Sequence, residues 1–265
     1  MEGVILPKCP PKYNVYYEPF VGAGAIFFAL QPEKAVINDL NSQLCLTYLV
    51  IRDNVSELIE ILNEHKSNNS KEYYYEMREI DRESSFSSYT PVEKAARLIY
   101  LNKTCYNGLY RVNSMGQFNT PYGRYKNPTI FDKEILLAVS KYLNTENIEI
   151  KNVSFEKSIV DAEKGDFVYF DPPYDSPNCT NFTGYQAEGF DHDKQKLLKK
   201  IMDELTDRGV KCLMSNAATD FIINLFKSQS HVQYKIDVVS ANRYIGSNLD
   251  SRGKVDEVLI RNYDL

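Results

Sequence analysis

The hydrophobic positions of the chain alternate between short continuous runs and longer stretches with helical spacing. The clearest run, Asp166 to Phe170, is almost wholly apolar after its first residue, which is typical of a strand buried on both faces of a parallel sheet. Val15 to Phe20 and Lys34 to Asn38 are also predicted strands, and each precedes a turn. Short strands that alternate with helical stretches predict an α/β fold.

Helical periodicity dominates the stretch Gln43 to Asn63, and Thr90-Pro91-Val92-Glu93 has the form of a capped helix start. Asn107 to Arg124 contains glycine turns and spaced aromatic residues, which predict an irregular hairpin. The other predicted helices are Glu72 to Arg82, Asp191 to Arg208 and Asp220 to Lys227, and the other predicted strands are Val210 to Met214, Gln233 to Val239 and Glu257 to Arg261.

Length and composition are those of a globular protein. The chain has 265 residues, 43% hydrophobic and 25% charged, which suits one large domain or one domain with a sizeable insert. No apolar run approaches the roughly 18 residues of a membrane span, and the chain does not begin with a secretory signal. We therefore expect a soluble, cytoplasmic protein without a membrane partner.

Cysteines and histidines are few and scattered. The five cysteines include no CxxC pair, and the three histidines stand far apart. The sequence therefore lacks the cysteine and histidine spacing that zinc clusters, redox motifs or Ser/His/Asp triads require. We expect reduced thiols and no metal site.

Charge is distributed unevenly along the chain. The net charge of −5 argues against a uniformly basic surface, yet no acidic residue occurs from Lys94 to Phe131. The basic residues of that stretch are Lys94, Arg97, Lys103, Arg111, Arg124 and Lys126. This pattern predicts one localised surface that binds phosphates.

Two motifs follow predicted strands. Glu18 to Gly24 (EPFVGAG) opens from a strand into a glycine turn, and Asp39 after the next strand is placed to bind ribose hydroxyls. Alone, this motif is also compatible with a simple structural turn, and it does not distinguish NAD from other adenosine cofactors.

The second motif, Asp171-Pro172-Pro173-Tyr174, follows the most apolar strand. Its carboxylate and a rigidly held backbone carbonyl are a pair of acceptors for an exocyclic amine, and the Tyr174 ring is a stacking surface for a planar base.

In this order, EPFVGAG, NDLN and DPPY resemble the α group of amino-methyltransferases, which use S-adenosylmethionine. Together with Asn102 to Pro128 and Ser251 to Tyr263, they resemble the Dam/DpnII-type (D12 class) DNA adenine-N6 methyltransferases that modify GATC. The resemblance runs from about Leu6 to Tyr263 and implies a Rossmann-like methyltransferase sheet in residues 1–54 and 132–265. It also implies an inserted, mostly helical target-recognition domain with a β-hairpin in residues 55–131.

The resemblance also implies roles for individual residues. At the cofactor, the residues that match the methionine-binding positions are Phe20, Gly22 and Gly24. Asp39 matches the ribose-binding acid, and Ser154 and Phe155 match the adenine-binding segment. The catalytic loop is matched by Asp171, Pro172, Pro173 and Tyr174, and Asp171 also lies beside the cofactor in the family. At the DNA, Arg111 matches the arginine that reads guanine, and Tyr106 and Asn107 match the residues beside the flipped base. Leu109 and Pro121 match the neighbours of the thymine methyl, with Arg124 and Tyr125 close by. A phosphate-contacting loop of the family is matched by Arg243, Asn248 and Arg252.

One departure concerns the start of the chain. The family begins with a segment that contains Trp and a Gly-Gly-Lys turn, whereas this sequence starts MEGVILPK and contains no Trp. Either the true start lies upstream or this is a natural short form. In both cases we expect weaker S-adenosylmethionine binding than in a version that carries the segment.

The predicted function is methylation of the adenine N6 of GATC in double-stranded DNA, by a monomer, with a restriction endonuclease as a functional partner. Three alternatives stay open at this point: a different site that begins with GAT, methylation of RNA or of a protein glutamine, and a DNA-binding relic impaired in catalysis. Asp171, where glutamine-modifying enzymes usually carry Asn, and the long hairpin favour DNA.

Overall fold

The computed structural model describes residues 2–145, 147–175, 190–228, 231–242 and 254–265, and only the backbone at 240–242 and 254–255. It divides into two compact units: the described residues up to Leu40 and from Asn147 onward form the first, and Asn41 to Thr145 belong to the second. Among the described residues, no helix combines the length and apolar character that crossing a membrane requires.

In the described part of the chain, seven strands form one sheet in the first unit. They are β1 (Tyr16–Glu18), β2 (Ala35–Asn38), β3 (Ile148–Lys151), β4 (Phe167–Phe170), β5 (Lys211–Ala217), β6 (Lys235–Asn242) and β7 (Lys254–Arg261). Their order is β3-β2-β1-β4-β5-β7-β6. The pairs from β3 to β5 are parallel, and β7 runs antiparallel to both of its neighbours. This arrangement confirms the predicted Rossmann-like α/β class.

The helices of the described residues are, in chain order, α1 (Glu2–Ile5), α2 (Ala25–Leu30), α3 (Ser42–Asp53), α4 (Val55–Asn68), α5 (Lys71–Glu79), α6 (Pro91–Thr104), α7 (Lys133–Leu143), α8 (Phe155–Ser158), α9 (His192–Asp207) and α10 (Asp220–Lys227). Short 3-10 turns lie at Leu6–Lys8, Ile80–Arg82, Ser84–Ser88 and Tyr106–Gly108.

The core of the first unit lies against the sheet. Every residue of β4 is buried, and Val168 and Phe170 pack in one cluster with Leu198 and Met202 of α9. Because β1, β2 and β4 run parallel, the turns that follow them share one edge of the sheet, where ligands of open α/β sheets bind.

The second unit is helical, and α6 is its centre. The helix begins with the predicted capping box, in which the Glu93 N–H donates to Thr90 Oγ1 at 3.2 Å and the Thr90 N–H donates to Glu93 Oε2 at 2.7 Å. Its apolar face buries Tyr100 and Leu101 in a cluster with Leu58 of α4. The sequence therefore defines both the start and the buried face of this helix.

Several elements add detail to the predictions. The helical stretch Gln43 to Asn63 lies in two helices that meet at Asn54. The predicted irregular hairpin contains two isolated bridges, Cys105 to Tyr122 and Val112 to Phe118. The second unit is wider at both ends than residues 55–131, because α3 and α7 pack in it. The recognition role assigned to 55–131 stays a prediction.

Candidate active site

The glycine turn after β1 is joined to the acid after β2. Gly22 (φ +50°) and Gly24 (φ +73°) adopt the left-handed conformation that favours glycine. The Gly22 N–H donates to Asp39 Oδ2 at 3.1 Å. The predicted methionine-binding turn and the predicted ribose-binding acid are thus in direct contact.

Asn38 connects a third segment to this turn. Its side chain, 1% exposed, donates to the Pro19 carbonyl at 2.9 Å and to the Val153 carbonyl at 3.1 Å, and it accepts from the Val153 N–H at 3.0 Å. Asn38 was not among the predicted site residues, although its position as a polar residue at the end of a buried strand is a signal of such a role.

The segment that Asn38 holds presents an aromatic wall. Phe20 stacks on Phe155 with ring centroids 5.2 Å apart, and Phe190 meets Phe20 edge-on at 5.6 Å. Beside this wall, the buried Ser154 Oγ has no hydrogen-bond partner among the described residues. Apolar ring faces with a polar atom at their edge suit a purine, so Ser154 and Phe155 fit the adenosine part of a cofactor.

A buried acid, Glu18, lies at the end of β1. It is 2% exposed and accepts a hydrogen bond from the Tyr16 hydroxyl at 2.7 Å. Burial, which the hydrogen bond from Tyr16 opposes and the nearby charge of Asp171 reinforces, raises the pKa of Glu18 to about 8.

Asp171 follows β4 at the same sheet edge. The residue is exposed, yet its Oδ1 reaches back to the buried Ser215 hydroxyl of β5 at 2.5 Å. The Tyr169 and Ser215 hydroxyls are 3.0 Å apart, which extends the contact into the core. Desolvation raises the pKa of the Asp171 carboxyl, while hydrogen bonds from Ser215 and Tyr174 partly oppose the shift. Ser215 was not among the predicted site residues.

The rest of this loop is also anchored. The Tyr174 hydroxyl donates to Glu257 Oε2 on β7 at 3.2 Å. The Pro173 carbonyl accepts from Gln195 Nε2 at 3.1 Å. Loop residues Asp171 to Tyr174 therefore lie in the same unit as Gly22 and Asp39, and the partners that hold them come from β5, β7 and α9.

In the second unit, the hairpin presents Arg111 beside Asn119. Arg111 Nε donates to Asn119 Oδ1 at 2.8 Å, and the Asn119 N–H donates to the Arg111 carbonyl at 2.9 Å. Arg111 is exposed. Arg111 Nη2 also donates to the Asn119 carbonyl at 3.3 Å. A guanidinium held through Nε and Nη2 has a fixed orientation, which suits recognition of a base edge by its other N–H groups.

The other predicted DNA-binding residues of the hairpin lie at or near its surface. Tyr106, Pro121, Arg124 and Tyr125 are exposed, and Asn107 and Leu109 are partly exposed. Arg243, Asn248 and Arg252 lie outside the described residues.

A buried ion pair lies beneath the hairpin. Arg97 Nη2 and Asp81 Oδ2 are 3.0 Å apart, with both side chains at most 3% exposed. The same Asp81 oxygen accepts from the Phe118 N–H at 2.9 Å, and Arg82 Nη2 donates to the Phe118 carbonyl at 3.0 Å. The stretch from Lys94 to Phe131, which contains no acidic residue, is thus held by Asp81, which lies outside it. Arg97 was predicted to lie on the basic surface, but it is buried.

Comparison with known proteins identifies one family. Residues 4–245 match the model of the D12 class N6 adenine-specific DNA methyltransferases. The chain is 46% identical over 255 residues to the type II methyltransferase M1.LlaDCHI of Lactococcus lactis, covering 96% of this chain and 88% of that protein. It is 41% identical to the type II methyltransferase M.MjaIII of Methanocaldococcus jannaschii, covering 97% and 92%. It is 33% identical to the DNA adenine methylase of Escherichia coli K12, covering 94% and 86%.

Proposed function

The chain belongs to the D12 class of N6 adenine-specific DNA methyltransferases, and from this premise we propose that it methylates the adenine of GATC in double-stranded DNA. It is a DNA adenine methyltransferase, and its methyl donor is S-adenosylmethionine. Two of the relatives are named type II methyltransferases, which supports a role beside a cognate restriction endonuclease.

We propose that the connected segments after β1, β2 and β3 hold the cofactor. Gly22 and Gly24 have no side chains, so the cofactor can approach the backbone of the turn. Asp39 binds the ribose hydroxyls, and Ser154 and Phe155 bind the adenine. When bound, the cofactor supplies an electrophilic methyl group on a sulfonium. The protein therefore has to align the amine and stabilise positive charge on its nitrogen.

Asp171 is the residue that we assign to that charge. Its carboxylate accepts an N–H of the adenine N6, whose lone pair is otherwise delocalised into the ring. The raised pKa makes it a better proton acceptor than an ordinary aspartate. Pro172 and Pro173 keep the loop rigid, and the Tyr174 ring stacks on the base after it leaves the duplex.

The proposed target sequence rests on the position of Arg111, which is exposed on the hairpin and bonded to Asn119. An arginine in this form reads guanine O6 and N7 in the major groove. Leu109 and Pro121, on the same hairpin, are suited to the thymine methyl, while Tyr106 and Asn107 would enter the duplex beside the flipped base.

The test is transfer of labelled methyl groups from S-adenosylmethionine to duplexes that contain GATC, GATATC or a scrambled sequence. We expect transfer to GATC alone. Equal transfer to GATATC would show that the hairpin reads only the GAT part, and transfer to the scrambled duplex would overturn the assignment of Arg111 as a guanine reader.

A further inference from the structure

Two buried carboxamides, Gln195 on α9 and Asn216 on β5, hold the loop after β4 from both sides. Gln195 Nε2 donates to the Pro173 carbonyl at 3.1 Å, and Gln195 Oε1 accepts from Asn216 Nδ2 at 3.1 Å. Asn216 Oδ1 accepts the Asp175 N–H at 2.9 Å. The two side chains form one hydrogen-bonded chain that begins and ends on the loop, on either side of Tyr174.

Both residues occupy positions that packing alone would give to apolar side chains. Gln195 is 1% exposed and Asn216 is 0% exposed. Gln195 lies on the same face of α9 as Leu198 and Met202, which belong to the apolar core. Burying a carboxamide is costly unless its polar atoms are bonded. Besides the Ala217 N–H, which also donates to Asn216 Oδ1, the partners of these two side chains are each other and the loop.

The loop needs such side chains because its own backbone can do little. Pro172 and Pro173 have no N–H to donate, so no regular ladder can fix this part of the chain. The bond from Gln195 to the Pro173 carbonyl instead fixes the orientation of this peptide group.

We propose that Gln195 and Asn216 are positioning residues for methyl transfer. They fix the backbone from Pro173 to Asp175, so that the Tyr174 ring and the Asp171 carboxylate face the adenine in one arrangement. This inference rests on the proposed catalytic role of Asp171 to Tyr174. It does not depend on which sequence is methylated.

The first experiment compares Gln195→Met, which keeps the length of the side chain and removes both hydrogen bonds, with Ile201→Val on the same helix. The substrate is bacterial chromosomal DNA that lacks adenine methylation, since it contains every short site. We expect the single-turnover rate of Gln195→Met to fall about 10- to 100-fold, because small misplacements of reacting groups have effects of that size. The dissociation constant for S-adenosylmethionine should stay unchanged, and Ile201→Val should keep the wild-type rate.

The second experiment uses Gln195→Glu, which replaces the donor with a carboxylate. When that carboxyl is protonated, its O–H donates to the Pro173 carbonyl as the amide does. The rate of this variant relative to the wild type should therefore rise as pH falls. Asp171, Asp175, His192 and Glu257 lie around the loop in both proteins, so the ratio separates their titration from that of the new group.

The outcomes are distinct. A Gln195→Met variant as active as Ile201→Val overturns the inference, and so does a Gln195→Glu rate that is lower than that of the wild type by the same factor at every pH. If Gln195→Met does not fold, the pH ratio of Gln195→Glu decides alone. An Asp171→Ala variant with full activity overturns the proposed catalytic role itself.

Discussion

Asn38 and Val153 are joined by two reciprocal hydrogen bonds: the Asn38 amide donates to the Val153 carbonyl at 3.1 Å and accepts from the Val153 N–H at 3.0 Å. The same side chain also donates to the Pro19 carbonyl. It therefore connects the segment before Ser154 to the turn before Gly22. The Asn38 side chain therefore contributes to the spacing between the proposed adenine and methionine subsites.

Replacing Asn38 should therefore weaken cofactor binding. In Asn38→Leu, buried carbonyl and N–H groups lose their partners, which costs about 1–3 kcal/mol for each group left unsatisfied. We expect the dissociation constant for S-adenosylmethionine, measured by calorimetry, to rise about tenfold or more. Asn14→Ala is the control, because that exposed amide bonds only the Lys164 carbonyl among the described residues. Equal affinities of the two variants would contradict the assigned subsites.

Arg111 should control sequence discrimination. Arg111→Ala removes a contact of a kind that contributes about 1–3 kcal/mol of discrimination, so the preference for GATC over AATC should fall by the corresponding factor. Lys126→Ala, an exposed cation of the same stretch, should weaken binding to all duplexes alike and lower the salt dependence. Competition between the two duplexes in one reaction measures the preference directly. An unchanged ratio in Arg111→Ala would transfer the reading of guanine to another residue.

Glu18 should destabilise the folded protein at alkaline pH. Its pKa is about 8 when folded, against 4.5 in the unfolded chain, so its contribution is fully present below pH 4.5 and is lost as pH rises through about 8. The Glu18→Gln variant keeps an acceptor for Tyr16 without a charge. At pH 8 it should be more stable than the wild type by roughly 4 kcal/mol, and near pH 4.5 the two should be alike. Urea unfolding at both pH values measures this difference.

His65 should make stability fall toward acidic pH. It is 7% exposed in the second unit, its Nδ1 is 2.7 Å from the Tyr73 hydroxyl, and burial with the nearby charge of Arg97 lowers its pKa from 6.5 to about 4. The unfolded chain takes up a proton first, so stability is lost as pH falls from 6.5 toward 4.

The His65→Phe variant isolates this effect. The difference in unfolding free energy between the variant and the wild type should change by about 2 kcal/mol in favour of the variant between pH 7 and pH 5. His231→Phe, which replaces an exposed histidine on the first unit, is the matched control for the change of ring. A parallel trend in both variants would contradict burial as the cause.

The sequence by itself determined the parts of this protein that depend on local order. Short apolar runs that alternate with helical stretches predicted the α/β sheet, Thr90 and Glu93 defined the start of α6, and the motifs after β1, β2 and β4 indicated the family. These features can be predicted from the sequence because the hydrophobic period, the capping preference and the turn chemistry each involve residues a few positions apart.

Only the tertiary structure decided which distant residues hold the loop after β4. Ser215, Gln195 and Asn216 bond this loop from positions far along the chain, and Asp81 fixes the hairpin through Phe118. Their polar side chains carry no local signature, because a buried hydrogen bond is favourable only once packing has excluded water and brought its partner within about 3 Å. That condition exists in the folded sheet and helices and nowhere in the linear pattern.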